Sequence, residues 1–208
     1  MKKFLTVAVA LLMCATCLFG ATKKKTSKKA STIKIGIVNN PPSESGYRAA
    51  NVKDFETVFT AAKGYEVKAF YSLKNDEQLD AASQMINDGV DYLFVSAAAI
   101  TGWASTLRKA KAAGVTVFPF DRMMDVSSDL YACAVVSDMA KEGETAVNWL
   151  KAQNLKEYKV VHIQGAMGSD AQIGRTGALD AEFAKGTMKK VIQQTATCSS
   201  LQIGRAHV

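Results

Sequence analysis

Short apolar runs alternate along this chain with longer segments in which apolar residues recur at helical spacing. The apolar runs predict strands at residues 33–38, 66–71, 92–96, 115–120, 131–136, 159–164 and 188–195. The helical spacing predicts helices at residues 46–63, 76–88, 102–113, 138–153 and 171–185. Strands and helices in alternation are typical of the α/β class, with a doubly wound parallel sheet covered by helices.

Glycines mark the expected ends of the first three helices. Gly64, Gly89 and Gly114 each follow one of these segments directly. A residue in the left-handed conformation ends a helix at little cost when it is glycine. We therefore expect all three glycines to have a positive φ angle.

The first 21 residues have the pattern of an export signal. Lys2 and Lys3 precede an apolar stretch that ends in small residues, and the Lys-rich segment 22–32 that follows reads as a solvated linker. Two alternatives are a retained membrane-anchoring helix and a signal that ends in a lipid-modified Cys17. Each interpretation places the protein outside the cytoplasm, in the periplasm or on the exterior of the cell envelope.

The net charge of +7 does not indicate a nucleic-acid partner. Seven of the 26 basic side chains lie in residues 1–30, which contain no acidic residue. The other 178 residues carry 19 basic and 19 acidic side chains and are neutral overall. A neutral folded part lacks the basic surface that phosphate backbones require.

Cysteine and histidine are too sparse for a disulfide framework or a metal site. Cys14 and Cys17 belong to the predicted signal, and Cys133 and Cys198 are far apart in a domain large enough to fold without staples. We expect Cys133 to be a small buried residue. No cysteine or second histidine stands at ligand spacing from His162, which argues against a metal site. Because His162 lies in the apolar run 160–163, it is predicted to be a hydrogen-bonded core histidine rather than a catalytic base.

Two loops carry the chemistry that could form a site. Residues 42–48 follow the first predicted strand, and Asp121 and Arg122 follow the fourth. Parallel strands end at one edge of a sheet, where open α/β sheets bind ligands, so both loops should meet there. An aromatic ring, a carboxylate and guanidinium groups suit a sugar, which has C–H faces and a rim of hydroxyls.

Other interpretations of these loops stay open at this point. Tyr47 could be a core residue, Arg48 a solvated side chain, and Asp121 and Arg122 a loop ion pair. A nucleotide site is disfavoured because the first strand is followed by neither of the glycine-rich phosphate-binding patterns.

Several segments resemble the type I periplasmic sugar-binding proteins of ABC importers. The segments that carry this resemblance are residues 89–95 (GVDYLFV), 111–122 (KAAGVTVFPFDR) and 164–171 (QGAMGSDA). Residues 43–50 (SESGYRAA) and 101–103 (TGW) look most like the galactofuranose-binding members, which have a tryptophan where Tyr47 stands. The smaller ring leaves the preferred sugar open.

The resemblance also implies which side chains contact the sugar. In the first lobe it implies Glu44, Ser45, Gly46, Tyr47, Arg48, Asp121 and Arg122. From the second lobe it implies Arg175, although the family usually has a longer or charged residue at the position of Gly174. The implied fold is two doubly wound parallel-sheet lobes that close on the ligand by a hinge motion.

The resemblance divides the chain into an N-terminal lobe at residues 33–135 and a partial C-terminal lobe at 136–200. Family members continue with more of the second lobe, and residues 201–208 look like a non-native, adapter-derived tail. We therefore expect residues 22–208 to bind sugar weakly or not at all, and the full-length gene product to bind it.

The resemblance implies a non-catalytic, monomeric receptor that captures a monosaccharide, of galactofuranose, galactose or ribose type, and delivers it to a membrane ABC permease without any cofactor. Alternatives are a sugar sensor that docks to a chemoreceptor and a LacI-like regulator, which would need a DNA-binding segment at its start. An enzyme is disfavoured because the chain shows no nucleophile paired with a base.

Overall fold

The computed structural model describes residues 32–195, so the predicted signal, most of the linker and residues 196–208 lie outside the described residues. The strands are β1 Ile33–Asn39, β2 Tyr65–Tyr71, β3 Tyr92–Val95, β4 Thr116–Asp121, β5 Val135–Val136, β6 Lys159–Gln164 and β7 Lys189–Thr195. The helices of more than three residues are α1 Gly46–Val58, α2 Asn75–Asn87, α3 Trp103–Ala112, α4 Met139–Ala152 and α5 Asp170–Lys185.

The strands form two parallel sheets. The first has the order β2-β1-β3-β4-β5, and the second pairs β6 with β7. In the first sheet the chain moves outward from β1 to β2 and then returns to the other side of β1 with β3. The carboxyl ends of β1 and β3 therefore border the crevice where ligands bind in sheets of this order.

Alternation along β3 and β4 divides the first sheet into two apolar faces. Leu93, Val95 and Val117 are at most 2 % exposed and belong to the main core cluster, which also includes residues of α2 and α3. Phe94, one residue out of phase, lies 5.5 Å from the ring of Phe55 on α1 and 5.2 Å from the ring of Phe118. Opposite side-chain directions at neighbouring strand positions produce this division.

The predicted positive φ angles of the three glycines are confirmed, whereas the predicted strand at 131–136 is not. Gly64, Gly89 and Gly114 have φ angles of 88°, 72° and 75°. The helix predicted at 46–63 is shorter, however, because α1 ends at Val58 and Gly64 ends a separate short helical turn, Ala61–Lys63. The predicted strand at 131–136 is reduced to the two residues of β5, and Cys133 is exposed, so its predicted burial is wrong. Only Val135 and Val136 pair with β4 as a strand. Before them, the backbone N–H of Ala132 donates to the carbonyl of Val117 at 2.9 Å without extending this strand pairing.

His162 is also different from the prediction. Its side chain is only partly buried, and none of the described residues forms a hydrogen bond with its buried Nδ1 atom. The prediction of a hydrogen-bonded core histidine at this position is therefore wrong. The cause is the partner strand, since β7 places Gln193 beside His162 and the Gln193 amide donates to Gln164 instead, at 3.0 Å.

Helices α4 and α5 cross at two glycines. A Cβ atom at Gly174 would lie 2.5 Å from the Cβ of Met139, and one at Gly143 would lie 2.5 Å from the carbonyl oxygen of Arg175. Real Cβ atoms do not approach other atoms so closely. The two backbones can therefore meet at this distance only because neither residue has a side chain, which explains glycine at position 174.

We expect Gly174→Ala to destabilise the fold by about 1–3 kcal/mol, because the added methyl group forces the helices apart. Gly177→Ala on the same helix is the matched control, since no neighbouring atom of the described part of the chain lies within 4 Å of its Cβ position. This control should be neutral or stabilise by up to about 1 kcal/mol through higher helix propensity. Urea unfolding of both variants measures the difference, and equal midpoints would contradict the close crossing.

The second sheet leaves apolar side chains uncovered by the described residues. Val161, Ile163, Val191 and Ile192 are all more than half exposed. None of the helices within residues 32–195 is both long and apolar enough to cross a membrane.

Candidate functional site

The loop after β1 and the first turn of α1 carry five of the predicted site residues, Glu44 to Arg48. β1 ends at Asn39, and the short helical turn Pro42–Glu44 leads into Ser45, the N-cap of α1. The Ser45 hydroxyl accepts a hydrogen bond from the backbone N–H of Arg48 at 3.2 Å, which satisfies one free donor of the first turn. The cap fixes the start of α1, so Tyr47 and Arg48 project from its first turn.

Asp121 closes β4 in an unusual backbone conformation. Its φ angle is 61°, in the left-handed region that residues other than glycine rarely occupy. Such strained residues concentrate at functional sites, where the surrounding structure holds them in place. The turn directs the Asp121 carboxylate toward the guanidinium of Arg48.

Arg48 is the centre of the site. It is 1 % exposed, and its guanidinium reaches Glu44 Oε2 from Nε at 3.2 Å and Asp121 Oδ2 from Nη2 at 2.5 Å. Its Nη1 atom donates to Asn39 Oδ1 at 2.7 Å and to the Ser96 hydroxyl at 3.3 Å. One buried side chain therefore links the carboxyl ends of β1, β3 and β4.

Arg122 completes a balanced set of charges. Its Nη2 atom donates to Glu44 Oε1 at 2.7 Å, whereas its Nε atom is 3.8 Å from Asp121 Oδ2. Its Nη1 atom is buried and has no hydrogen-bond partner among residues 32–195. Glu44, Asp121, Arg48 and Arg122 together carry two negative and two positive charges, and the Nη1 group of Arg122 is left to donate.

Buried polar residues below these charges were not found from the sequence. Asn40 donates to both carboxylate oxygens of Glu44 at 3.3 Å, and Gln78 of α2 donates to Asn40 at 3.1 Å. Asn39, Asn40 and Gln78 are all 0 % exposed, as is Ser96, which bonds Asp121 Oδ2 at 3.1 Å. The available signal was a polar residue directly after an apolar strand, as at Asn39–Asn40 and Ser96.

Tyr47 offers an open aromatic face beside these charges. It is 59 % exposed, and the central carbon of the Arg48 guanidinium lies 5.5 Å from the centroid of its ring. Burial of its hydroxyl raises the pKa of the Tyr47 phenol, and the nearby Asp121 carboxylate raises this pKa further. The phenol is therefore neutral at physiological pH, with its hydroxyl near Asp121.

Arg175 reaches the same cavity from α5. A cavity of about 320 Å³ is lined by Glu44, Ser45, Tyr47, Arg48, Asp121, Arg122, Met139, Ala171 and Arg175. All the predicted site residues except Gly46 line it, and Gly46 begins the helix that carries Tyr47 and Arg48. Residues 127 positions apart in sequence, Arg48 and Arg175, thus share one space.

The N-terminal end of α5 is attached to loops of the first sheet. The backbone N–H of Met123 donates to Asp170 Oδ2 at 3.0 Å, and that of Ile100 donates to the carbonyl of Gly168 at 3.0 Å. A second cavity, of about 200 Å³, adjoins the first and shares Arg122, Ala171 and Arg175 with it. The two cavities are therefore bordered both by loops of the first sheet and by α5.

A larger groove, of about 510 Å³, lies elsewhere, between β2 and α2. Two of its three charged side chains already have partners, with Lys68 bound to Asp88 and Glu77 bound to Lys74. It also lies beside β2, an edge strand of the first sheet. The smaller cavity with converging charges is the better candidate site.

A family model described as the periplasmic binding protein domain matches residues 35–203. The chain belongs to this family. The match confirms the predicted fold class, the type I periplasmic-binding-protein fold, and this family is one of solute-binding proteins rather than enzymes.

Relatives in this family bear names of sugar-binding proteins. The chain is 37 % identical over 138 residues to the galactofuranose-binding protein YtfQ of Escherichia coli, covering 64 % of this chain and 42 % of YtfQ. It is 33 % identical over 132 residues to the fructose import binding protein FruE of Bifidobacterium longum, covering 62 % of this chain and 39 % of FruE. The chain thus spans about two fifths of these curated relatives.

A comparison with solved structures also finds a protein that is named for sugar binding. The crystal structure of a galactofuranose-binding protein superposes with a TM-score of 0.69 at 31 % identity, covering 78 % of this chain and 56 % of that protein. The similarity in fold therefore extends over both parts of the described chain.

Proposed function

We propose that this chain forms the sugar-capturing part of an extracytoplasmic solute-binding protein that delivers a neutral monosaccharide to a membrane ABC permease. The observation that carries the proposal is the balanced set of two carboxylates and two guanidinium groups, with the Nη1 group of Arg122 unused, beside the open ring of Tyr47. The names of the relatives, which include galactofuranose and fructose binding, support a ligand of this class.

Charge balance argues for a neutral ligand. Glu44 and Asp121 neutralise Arg48 and Arg122, and Glu142 neutralises Arg175 at 2.7 Å. A sugar acid or sugar phosphate would meet no excess positive charge here and would approach two carboxylates. A polyol, in contrast, offers both donors and acceptors to such a site.

The available hydrogen-bonding groups assign roles to the residues. The bonds from Arg48 and Ser96 both reach Oδ2 of Asp121, which leaves Oδ1 to accept from the Tyr47 hydroxyl or a ligand hydroxyl. Arg122 Nη1 donates to a ligand oxygen, and Arg175 donates from the opposite side of the cavity. Glu44 already accepts from Asn40, Arg48 and Arg122, so it orients the two guanidinium groups as much as it contacts ligand.

The same proposal includes an export signal at residues 1–21 and two lobes, at residues 33–135 and 136–200. Closure of the two lobes on the sugar would complete the site and present one shape to the permease. A fusion of residues 1–32 to a reporter should be exported, and retention of the reporter in the cytoplasm would count against the localisation.

Binding of sugar by the full-length gene product tests the proposal. Titration calorimetry with D-galactose, D-fructose, L-arabinose and D-ribose should detect saturable binding of at least one of them, with no product formed. D-Gluconate serves as the anionic control and should not bind. Binding of none of the neutral sugars, or preferred binding of gluconate, would contradict the proposal.

Tyr47→Ala should weaken binding of the preferred sugar about 10-fold or more, because it removes the aromatic face. Tyr47→Phe is the matched control, since it keeps the ring and loses only the hydroxyl. We expect the phenylalanine variant to bind within a few-fold of the wild type. Equal affinity of the alanine variant and the wild type would remove Tyr47 from the site.

A further inference from the structure

Arg175 has its partners on α4, the helix that crosses α5 at the two glycines. Glu142 Oε2 accepts from Arg175 Nε at 2.7 Å. The next residue, Gly143, lies against the backbone of Arg175, so close that a Cβ there would be 3.0 Å from the Cα of Arg175. Adjacent residues of α4 thus contact both the main chain and the side chain of Arg175.

The contact with Glu142 leaves the cavity-facing part of the guanidinium available. Only Nε takes part in this bond, and the N–H groups on Nη1 and Nη2 are the ones that can donate to a ligand. Glu142 itself lines neither of the two cavities around Arg175. It can therefore hold Arg175 without competing with a ligand for the same donors.

We propose that Glu142 and Gly143 form a positioning site for Arg175, which sets the affinity of the cavity for sugar although neither residue touches it. The inference rests on the proposed function. Gly143 fixes the depth of α5 against α4, and Glu142 restricts a side chain that is 55 % exposed and would otherwise sample many rotamers. An arginine held in one orientation loses less freedom when the ligand binds.

The neighbouring acidic residue on α4 provides the control. Glu144 is paired with Lys141 at 3.1 Å and is 54 % exposed, which makes it similar to Glu142 in charge and environment. It does not line either cavity around Arg175. Removing its charge changes the net charge of the protein equally without affecting Arg175.

The test is a double-mutant cycle in the full-length gene product, with the neutral sugar of the panel that binds tightest as the probe. Glu142→Gln should weaken binding about 3- to 10-fold, and Glu144→Gln should leave the affinity within about twofold. In an Arg175→Met background, Glu142→Gln should have no further effect. Glu142→Asp should restore part of the affinity, because a carboxylate remains within reach.

Two results would overturn the positioning role. One is wild-type affinity in the Glu142→Gln variant, and the other is an equal loss from this substitution with and without Arg175. If the wild type binds none of the sugars, the proposed function fails first, and the positioning role fails with it. If the wild type binds and the Glu142→Gln variant binds equally well, only the positioning role is wrong.

Discussion

Replacing Arg48 with methionine should lower the free energy of unfolding by about 3–5 kcal/mol, the usual cost of removing one partner from a buried charge network. Methionine fills much of the volume of the arginine stem but donates no hydrogen bond. Asp121 would then keep only the distant Nε of Arg122, at 3.8 Å, as a charged partner. Asn39 and Ser96 would lose their bonds to the guanidinium as well.

Arg108→Met is the control for this substitution. Arg108 lies on the exposed side of α3, so its replacement should change stability by no more than about 0.5 kcal/mol. Urea unfolding followed by tryptophan fluorescence measures both variants. If the two variants unfold at the same urea concentration, the charge network does not stabilise the carboxyl edge of the sheet.

Replacing Asp121 with asparagine should weaken sugar binding about 100-fold or more, within the range for loss of one partner of a buried charge pair. Asparagine tolerates the left-handed backbone that this position requires, so the change isolates the chemistry of the side chain. The amide is neutral, and its NH₂ group cannot accept from a sugar hydroxyl or from Arg48. Three positive charges would then oppose two negative ones among Glu44, Arg48, Arg122, Glu142 and Arg175.

Asp129→Asn is the matched control for this binding experiment. Asp129 is exposed and paired with Lys111 at 2.8 Å, and it does not line the candidate cavity. Calorimetric titration of both variants in the full-length gene product should show unchanged affinity for Asp129→Asn. Equal affinities of the two variants would exclude the Asp121 carboxylate from the site.

Local pattern was enough to predict most elements of this fold. The apolar run at 33–38 became β1 Ile33–Asn39, and the predicted strand at 159–164 became β6 without a shift. The left-handed glycines were predictable too, because a helix end depends on a few neighbouring residues. At 131–136 only two residues pair with a neighbouring strand, so the sequence pattern overestimated the length of this strand.

The side-chain pairings of the candidate site could not be predicted from local sequence pattern. From sequence, Arg48 could be a solvated side chain and Asp121 with Arg122 a loop ion pair. In the structure Arg48 is buried against Asp121, a residue 73 positions away, and Arg122 bonds Glu44 more closely than it bonds Asp121. Such pairings depend on which strand ends become neighbours in the sheet, and residue spacing does not encode that directly.

The sequence by itself determined the alternation of strands and helices, their glycine ends and the two loops that carry polar and aromatic groups, since each depends on neighbouring residues. Only the tertiary structure decided that Asn39, Gln78 and Ser96 support the charges from below, that Cys133 is exposed, and that α4 reaches Arg175 at Gly143. These features depend on the strand order and on the approach of distant helices, and both are set when the whole chain packs.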